Sequence, residues 1–212
     1  MKSRMMFVLC ILAVSVFAAP AFAAGPYIGG EAGAVFLSDS TFSAAGIDVG
    51  DAKFDTGFGV GLFGGFDYGT WRLEGEFAYR KNDNKEISSP LGTDPIGGDV
   101  SSMALMVNAY YDFRMVSPTF VPYLGAGVGG ARISAKVDDP VDGAVIDDDD
   151  MVFAYQFAAG VGFVVNPQVT IDLGYKYFAT ADPSFEVIGA GGVKLDAEYS
   201  SHNVFLGLRY SF

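Results

Sequence analysis

Strict alternation in the last nine residues is the feature of this chain that most constrains its fold. One face of this stretch carries only apolar side chains, Val204, Leu206, Leu208, Tyr210 and Phe212, whereas the other face includes Arg209. Successive side chains of a β-strand point to opposite faces, so this period predicts a strand with one continuous apolar face. A soluble sandwich would bury that face and would seldom end on a core aromatic residue. The pattern therefore favours an apolar face that points outward, with Arg209 inside.

The N-terminal segment is typical of a secretory signal peptide. Lys2 and Arg4 precede an apolar run over residues 5–17, and Ala21-Phe22-Ala23 has the small-x-small pattern of a cleavage site. We expect residues 1–23 to be the signal peptide and residues 24–212 to form one outer-membrane β-barrel domain. Cys10, the only cysteine, would leave with the signal, so the mature chain would have neither disulfides nor thiolate metal sites.

The apolar run is shorter than the roughly 20 residues of a membrane-spanning helix, and no other stretch is a candidate. Only helices and closed barrels satisfy every backbone polar group within lipid. If the mature chain lies in a membrane, it must therefore form a barrel. High glycine (28 residues) and aromatic content (15%), with only 18% charged residues, agree with this.

Alternation predicts eight strands, over residues 27–37, 56–68, 71–80, 102–113, 120–135, 153–165, 169–177 and 204–212. The clearest is Trp71–Arg80, where apolar side chains alternate with charged or small ones and an aromatic residue lies near each end, as in the aromatic girdles of membrane barrels. The predicted fold class is all-β, an eight-stranded antiparallel up-and-down transmembrane β-barrel.

The register of the fifth strand is left open by the sequence. Arg132 suggests that even positions face inward, whereas Leu124, Ala126 and Val128 suggest that they face outward. A β-bulge between the two groups would reconcile them.

Short and long connections alternate along the chain. Residues 69–70, 114–119 and 166–168 form short turns, whereas 38–54, 81–99, 136–151 and 179–200 are long and polar and are expected to be loops. This is the plan of bacterial barrels, which have short periplasmic turns and long extracellular loops. The four loops hold 18 of the 25 acidic residues but only 5 basic ones, so the excess negative charge would lie at the extracellular end.

Several segments resemble the small eight-stranded outer-membrane barrels of the OmpA/OmpX and opacity-like porin superfamily. The segments that carry the resemblance are Gly25-Pro26-Tyr27-Ile28-Gly29, Trp71-Arg72-Leu73-Glu74-Gly75-Glu76, Asn108-Ala109-Tyr110-Tyr111-Asp112-Phe113, Pro122-Tyr123-Leu124-Gly125-Ala126-Gly127-Val128-Gly129 and Gly207-Leu208-Arg209-Tyr210-Ser211-Phe212. The resemblance covers the chain from Gly25 onward. These motifs are diagnostic of the barrel and weak for activity, since the superfamily includes adhesins, antigens, structural anchors and a few enzymes.

The resemblance implies a cell outer membrane location in a Gram-negative bacterium, with both termini periplasmic. It also implies that Tyr210 and Phe212 form a C-terminal signal for the barrel-assembly machinery. The surrounding partners would be outer-membrane lipid and lipopolysaccharide.

The interior of an eight-stranded barrel is just wide enough for side chains to fill. Charged residues at the predicted inward positions are nearly balanced in sign: Glu31, Arg72, Glu74, Glu76, Arg80, Asp112, Asp172, Lys176 and Arg209. Bare glycines at positions 57, 59 and 61 would leave room for them, and Asp172 and Arg209, with Glu31 nearby, are expected at similar heights. We expect a salt-bridged plug, and the alternative is a narrow small-solute pore lined by these residues.

Other candidate sites are weaker. Asp147, Asp148, Asp149 and Asp150 could supply oxygen ligands to Ca²⁺ or Mg²⁺ but lack the spacing of an EF-hand, so no metal site or cofactor is predicted. His202 follows Ser201, which suggests a lipid A-modifying hydrolase, but neighbouring residues of a strand face opposite ways. No catalytic residue is therefore assigned.

The sequence thus predicts a non-enzymatic surface barrel whose acidic loops serve surface interaction or envelope integrity, through an extracellular ligand or divalent cations. Without the signal peptide the chain has 11 basic and 25 acidic residues. This charge argues against a nucleic-acid partner, which needs a basic surface.

Overall fold

A computed structural model describes most of the chain that follows the predicted signal peptide. The described residues are 25–38, 40–44, 47–89, 92–95, 97–139, 143–181, 183–186, 194–197 and 199–212. Residues 1–23, assigned above to the signal peptide, lie outside the described residues.

Thirteen strands make up the regular structure of the described ranges. They are β1 (Gly25–Leu37), β2 (Ser40–Ala44), β3 (Ile47–Phe54), β4 (Gly57–Asp67), β5 (Trp71–Ser89), β6 (Gly92–Pro95), β7 (Gly97–Asp112), β8 (Phe120–Asp139), β9 (Gly143–Val164), β10 (Val169–Thr180), β11 (Ser184–Glu186), β12 (Lys194–Ala197) and β13 (Ser200–Ser211). Within these ranges no helix is long and apolar enough to cross a bilayer.

Eight of the strands form a closed antiparallel barrel. Going round the wall, the order is β1, β4, β5, β7, β8, β9, β10 and β13. The last strand pairs with the first, from Tyr27 opposite Ser211 to Leu37 opposite Ser201. Closure leaves no strand edge exposed in the wall. The prediction of an eight-stranded up-and-down barrel is confirmed.

The apolar face of each wall strand points outward. Leu62 is 69% exposed and Leu206 60% exposed, whereas Glu76 on the inner face is 1% exposed. Aromatic pairs lie near one rim of this outer surface, with Trp71 and Tyr111 4.9 Å apart between ring centroids and Tyr210 and Phe212 5.3 Å apart. The barrel therefore has an apolar outer surface and a charged interior, the reverse of a soluble barrel.

The two ends of the barrel differ. The turn end carries the short connections and both ends of the described chain, with Gly25 opposite Asp67 in the register. At one of these turns Gly69 has a φ of +89°, a conformation that side chains disfavour, and its N–H donates to Asp67 Oδ1 at 2.7 Å. The opposite end, the hairpin end, carries the long connections.

The expectation of four long loops is wrong for much of their length. β5 continues to Ser89, β8 to Asp139 and β9 starts at Gly143, so these strands extend beyond the barrel wall as hairpins. At the same end β11, β12, β2 and β3 pair in that order onto the extension of β5, and β6 pairs with β5 as well. A polar strand that extends beyond the membrane is as well solvated as a loop. Because both of its faces meet water, its sequence shows no apolar–polar alternation that would distinguish it from a loop.

The register of the fifth strand, which the sequence left open, is continuous and needs no bulge between Val128 and Arg132. β8 keeps one register with β7 and β9 from Phe120 to Val137, and the single irregularity falls after Val137. Odd positions face inward throughout, so Arg132 points outward and is exposed. Arg132 lies towards the hairpin end, where an outward charge meets water rather than hydrocarbon.

An apolar cluster lies at the hairpin end of the interior, beside buried polar side chains such as Asn82, Ser102 and Ser201. A buried cluster, the apolar cap, consists of Ala104, Met106, Ala131, Ile133, Ala135, Ala154, Phe178 and Tyr199. These side chains come from four different wall strands and from Tyr199, which precedes β13. The charged part of the interior therefore lies between this cap and the turn end.

Candidate functional site

The charged interior is built from inward positions of the wall strands. The structure places all nine of the sequence-predicted charged residues there, and eight of them are 6% exposed or less. Glu31 is the exception, with 10% of its side chain exposed. Because inward positions recur every second residue, Arg72, Glu74 and Glu76 form a single row along β5.

Lys176 is the centre of the network. Its Nζ lies 2.6 Å from Glu31 Oε1 and 2.9 Å from Glu76 Oε1, and its side chain is 2% exposed. Glu76 Oε2 accepts hydrogen bonds from Asn108 Nδ2 at 2.7 Å and from Gln156 Nε2 at 2.8 Å. The ammonium and the amides together solvate both oxygens of Glu76, as a buried carboxylate requires.

Arg72 organises the turn end. Its Nε lies 3.0 Å from both carboxylate oxygens of Asp112, and its guanidinium carbon lies 4.5 Å from the ring centroid of Tyr110. Tyr27 donates its hydroxyl to Glu74 Oε2 at 3.0 Å. The cation thus combines an ion pair with stacking on an aromatic face, which only arginine does well.

Two further cations complete the set. Arg209 Nη2 lies 3.2 Å from Asp172 Oδ1, so these residues do meet as expected from their heights. Glu31 does lie near them, across Gly207 from Asp172, and its ion pair is with Lys176. Arg80 donates from Nε to Asn203 Oδ1 at 3.3 Å and lies 4.1 Å over the Phe178 ring, directly beneath the apolar cap.

The interior charges nearly cancel. Five carboxylates (Glu31, Glu74, Glu76, Asp112 and Asp172) face four cations (Arg72, Arg80, Lys176 and Arg209). Arg114, at the turn end and 45% exposed, supplies a fifth positive charge through its Nη2, 3.2 Å from Asp112 Oδ2. Buried charges are tolerated when paired in this way.

Little free space remains between these side chains. Two cavities among the network side chains have volumes of about 20 Å³ each, close to the space that one water molecule needs. A larger cavity of about 650 Å³ also touches Glu31, but most of its lining consists of the wall's outward apolar side chains, such as Leu62 and Leu206. Glycines make this packing possible: a Cβ at Gly61 would lie 3.1 Å from Glu31 Cγ, and one at Gly162 would lie 3.1 Å from Asp172 Oδ1.

Sequence reasoning missed several polar partners. Tyr27, Asn108, Gln156 and Asn203 are buried and bonded to the charged residues, although none was included in the predicted network. Their inward positions were the available signal, since an amide or phenol on the inner face of a narrow barrel must bond a neighbour.

The acidic run at the hairpin end makes ion pairs rather than a metal cluster in the described part. Arg132 binds Asp149 through two hydrogen bonds of 2.8 Å, and these bonds lower the pKa of the Asp149 carboxyl. Asp148 and Asp150 each accept a hydrogen bond from the next backbone N–H. Among the described residues no three His, Cys, Asp or Glu side chains are grouped to hold a metal, and the side chain of Asp147 lies outside them.

His202 and Ser201 lie on opposite faces of β13. Ser201 is fully buried inside the barrel, whereas His202 is exposed on the outside, with its Nδ1 2.5 Å from the Tyr175 hydroxyl. The pair therefore has no hydrolase geometry. Tyr210 and Phe212 lie outward at the turn end, 40% and 70% exposed.

Comparison with known proteins agrees with this geometry. The family model "Outer membrane protein beta-barrel domain" matches residues 8–212. The chain is 30% identical to outer membrane protein PagN of Salmonella typhimurium, over 97% of this chain and 98% of that protein. It is 25% identical to opacity protein V28 of Neisseria gonorrhoeae, over 70% of this chain and 75% of that protein.

Solved structures share the fold. The outer membrane protein OprG from Pseudomonas aeruginosa has a TM-score of 0.63 at 17% identity, covering 89% of this chain and 96% of OprG. Neisserial surface protein A has a TM-score of 0.54 at 23% identity, covering 89% of this chain and 99% of that chain. The protein is accordingly located in the outer membrane of a Gram-negative bacterium, and the chain belongs to the outer membrane protein beta-barrel domain family.

Proposed function

We propose that this protein is a non-enzymatic, electrically silent barrel that displays acidic hairpins at the cell surface. The observation that carries the proposal is the filled interior: charged pairs occupy it from Arg72 to Arg80, and the apolar cap closes it above Arg80. An ion would have to displace several buried pairs at once to pass. The opacity protein among the relatives is in keeping with a surface role.

The hairpins provide the interacting surface in this proposal. The predicted extracellular segments hold 18 of the 25 acidic residues, and Asp149 is exposed at the base of the longest hairpin. Such a surface repels the phosphates of lipopolysaccharide unless divalent cations lie between them. We propose that Ca²⁺ or Mg²⁺ joins the hairpins to lipopolysaccharide or to an acidic extracellular ligand, and that the C-terminal strand binds the barrel-assembly machinery through Tyr210 and Phe212.

Planar-bilayer conductance of the refolded protein tests the silent barrel. We expect no discrete openings from protein that is folded by its heat-modifiable mobility on gels, because the interior has no continuous path. Reproducible openings that shift with Arg72→Ala would instead show a narrow pore lined by the inner charges and would overturn the proposal.

Binding of lipopolysaccharide tests the acidic hairpins separately. Replacing Asp147, Asp148, Asp149 and Asp150 by Asn is expected to reduce the Ca²⁺-dependent part of binding, since the amides remove four of the 18 negative charges that cations would bridge. The matched control is Asp67→Asn at the turn end, which leaves the hairpins unchanged. Equal Ca²⁺ dependence in both variants would contradict the bridging role.

A further inference from the structure

Three aromatic rings form a cluster on the outside of the barrel, two of them exposed and one, Tyr177, half-buried. This group, the histidine cluster, consists of Tyr175, Tyr177 and His202. The His202 ring lies 5.9 Å from that of Tyr175 and 5.3 Å from that of Tyr177. In the register His202 is opposite Tyr177 on one side and Phe36 on the other. The interior network does not use any of these side chains.

The histidine cluster lies at the upper border of the apolar belt. Ten positions separate His202 from Phe212, which at about 3.3 Å per residue and a tilt of about 40° spans roughly 25 Å, the height of a barrel's lipid-facing band. Below His202 the outward residues are apolar, with Val204 45% and Leu206 60% exposed. Above it Ser200 donates its hydroxyl to Ser38 Oγ at 3.0 Å. His202 therefore lies at the level of the outer-leaflet headgroups.

The hydrogen bond to Tyr175 engages one nitrogen of the imidazole. The Tyr175 hydroxyl lies 2.5 Å from Nδ1, and the tautomer decides which of the two atoms donates. When the phenol donates, the proton of the neutral ring is on Nε2, and this N–H is then available to a ligand. Tyr177, on the neighbouring strand, brings a further hydroxyl to the cluster, with its ring centroid 5.3 Å from that of His202.

The surrounding surface does not repel an anion. The outward positions of β1, β10 and β13 that the structure describes carry no Asp or Glu. The exposed cation on the opposite side of the barrel, Arg132, is instead bound by Asp149. An anionic headgroup that meets the barrel at His202 therefore finds donors without a competing carboxylate.

We propose that the histidine cluster binds a phosphate of outer-leaflet lipopolysaccharide, through His202 Nε2–H and the Tyr177 hydroxyl. Tyr175 acts in this proposal as a positioning residue that donates to Nδ1 and so holds the ring with its proton on Nε2. The inference deepens the proposed contact with lipopolysaccharide but uses the barrel wall rather than the acidic hairpins, so it needs no divalent cation.

His202 provides its own probe because it is the only histidine in the chain. The full-length protein is refolded and placed in nanodiscs of phosphatidylcholine, with lipid A or with dephosphorylated lipid A. We expect the imidazole NMR signals to shift with lipid A only. His202→Phe and Tyr177→Phe should each reduce lipid A retention, measured by native mass spectrometry, by about three- to tenfold, the effect of one lost hydrogen bond. Tyr79→Phe, on a distant part of the outer belt, should match the unmodified protein.

Three results would overturn this site. They are an unchanged imidazole signal in lipid A discs, an equal shift with dephosphorylated lipid A, and an equal shift with inorganic phosphate in detergent, which would indicate a free-anion site. The proposed hairpin function fails separately, when the Asp→Asn substitutions at positions 147–150 leave the Ca²⁺ dependence of lipopolysaccharide binding unchanged while the imidazole signal of His202 still responds to lipid A.

Discussion

Lys176→Met is expected to lower the free energy of unfolding by about 3–5 kcal/mol, the usual cost of removing one partner from a buried ion pair. The reason is that Lys176 Nζ lies within 2.9 Å of two carboxylates, Glu31 and Glu76. Methionine fills nearly the same volume, so the loss reports the missing charge rather than a cavity. Urea unfolding in lipid vesicles, followed by the fluorescence of Trp71, the only tryptophan, measures it.

Lys81→Met is the matched control. Lys81 also pairs with a carboxylate, Asp99 at 3.5 Å, but its side chain is 35% exposed. Exposed pairs contribute about 1 kcal/mol or less. Adding Glu31→Gln to Lys176→Met should restore part of the stability, because it removes one of the two orphaned charges. If Lys176→Met and Lys81→Met were equally mild, the interior network would not support the barrel.

Alternation along the sequence predicts which face a side chain takes, and this accounts for most of what could be known in advance. Trp71–Arg80 shows why: every second residue is charged or small, and lipid on one side makes the choice of face unambiguous. The two-residue period does not determine how far along the barrel axis a side chain lies, however. The sequence therefore could not distinguish Lys176 from Arg209 as the partner of Glu31, since this depends on the stagger between neighbouring strands.

The open register of the fifth strand and the mistaken loops have a common physical origin. Arg132 suggested that even positions face inward because an outward charge is costly in lipid, and the long connections were interpreted as loops because they are polar. Arg132 and the long connections both lie beyond the part of the barrel that faces hydrocarbon. An outward charge there meets water, and a polar strand there is solvated on both faces. The apolar cap was not predicted from the sequence, for the converse reason. Ala104, Met106 and Ile133 face inward, and the expectation of a polar interior gave no weight to apolar residues on that face.

The seam between the first and last strands carries the second large expected effect. Gly33 of β1 is opposite Phe205 of β13 and Gly59 of β4. A Cβ at position 33 would meet the carbonyl oxygen of Val204 and lie 2.7 Å from the Cα of Phe205. Both atoms belong to the backbone of β13, which cannot swing aside as the end of a flexible side chain does. The glycine therefore sets how closely the chain's ends approach to close the barrel.

Gly33→Ala is accordingly expected to cost at least about 3 kcal/mol, the upper end of ordinary overpacking, and to reduce the heat-modifiable folded band on gels sharply. Gly64→Ala is the matched control in the adjoining strand β4. Its Cβ would lie 3.5 Å from the Tyr27 carbonyl oxygen and 3.6 Å from Ile28 Cγ2, which is ordinary van der Waals contact. That variant should fold and unfold like the unmodified protein. If both alanine variants unfolded at the same urea concentration, closure of the barrel would not depend on the glycine at position 33.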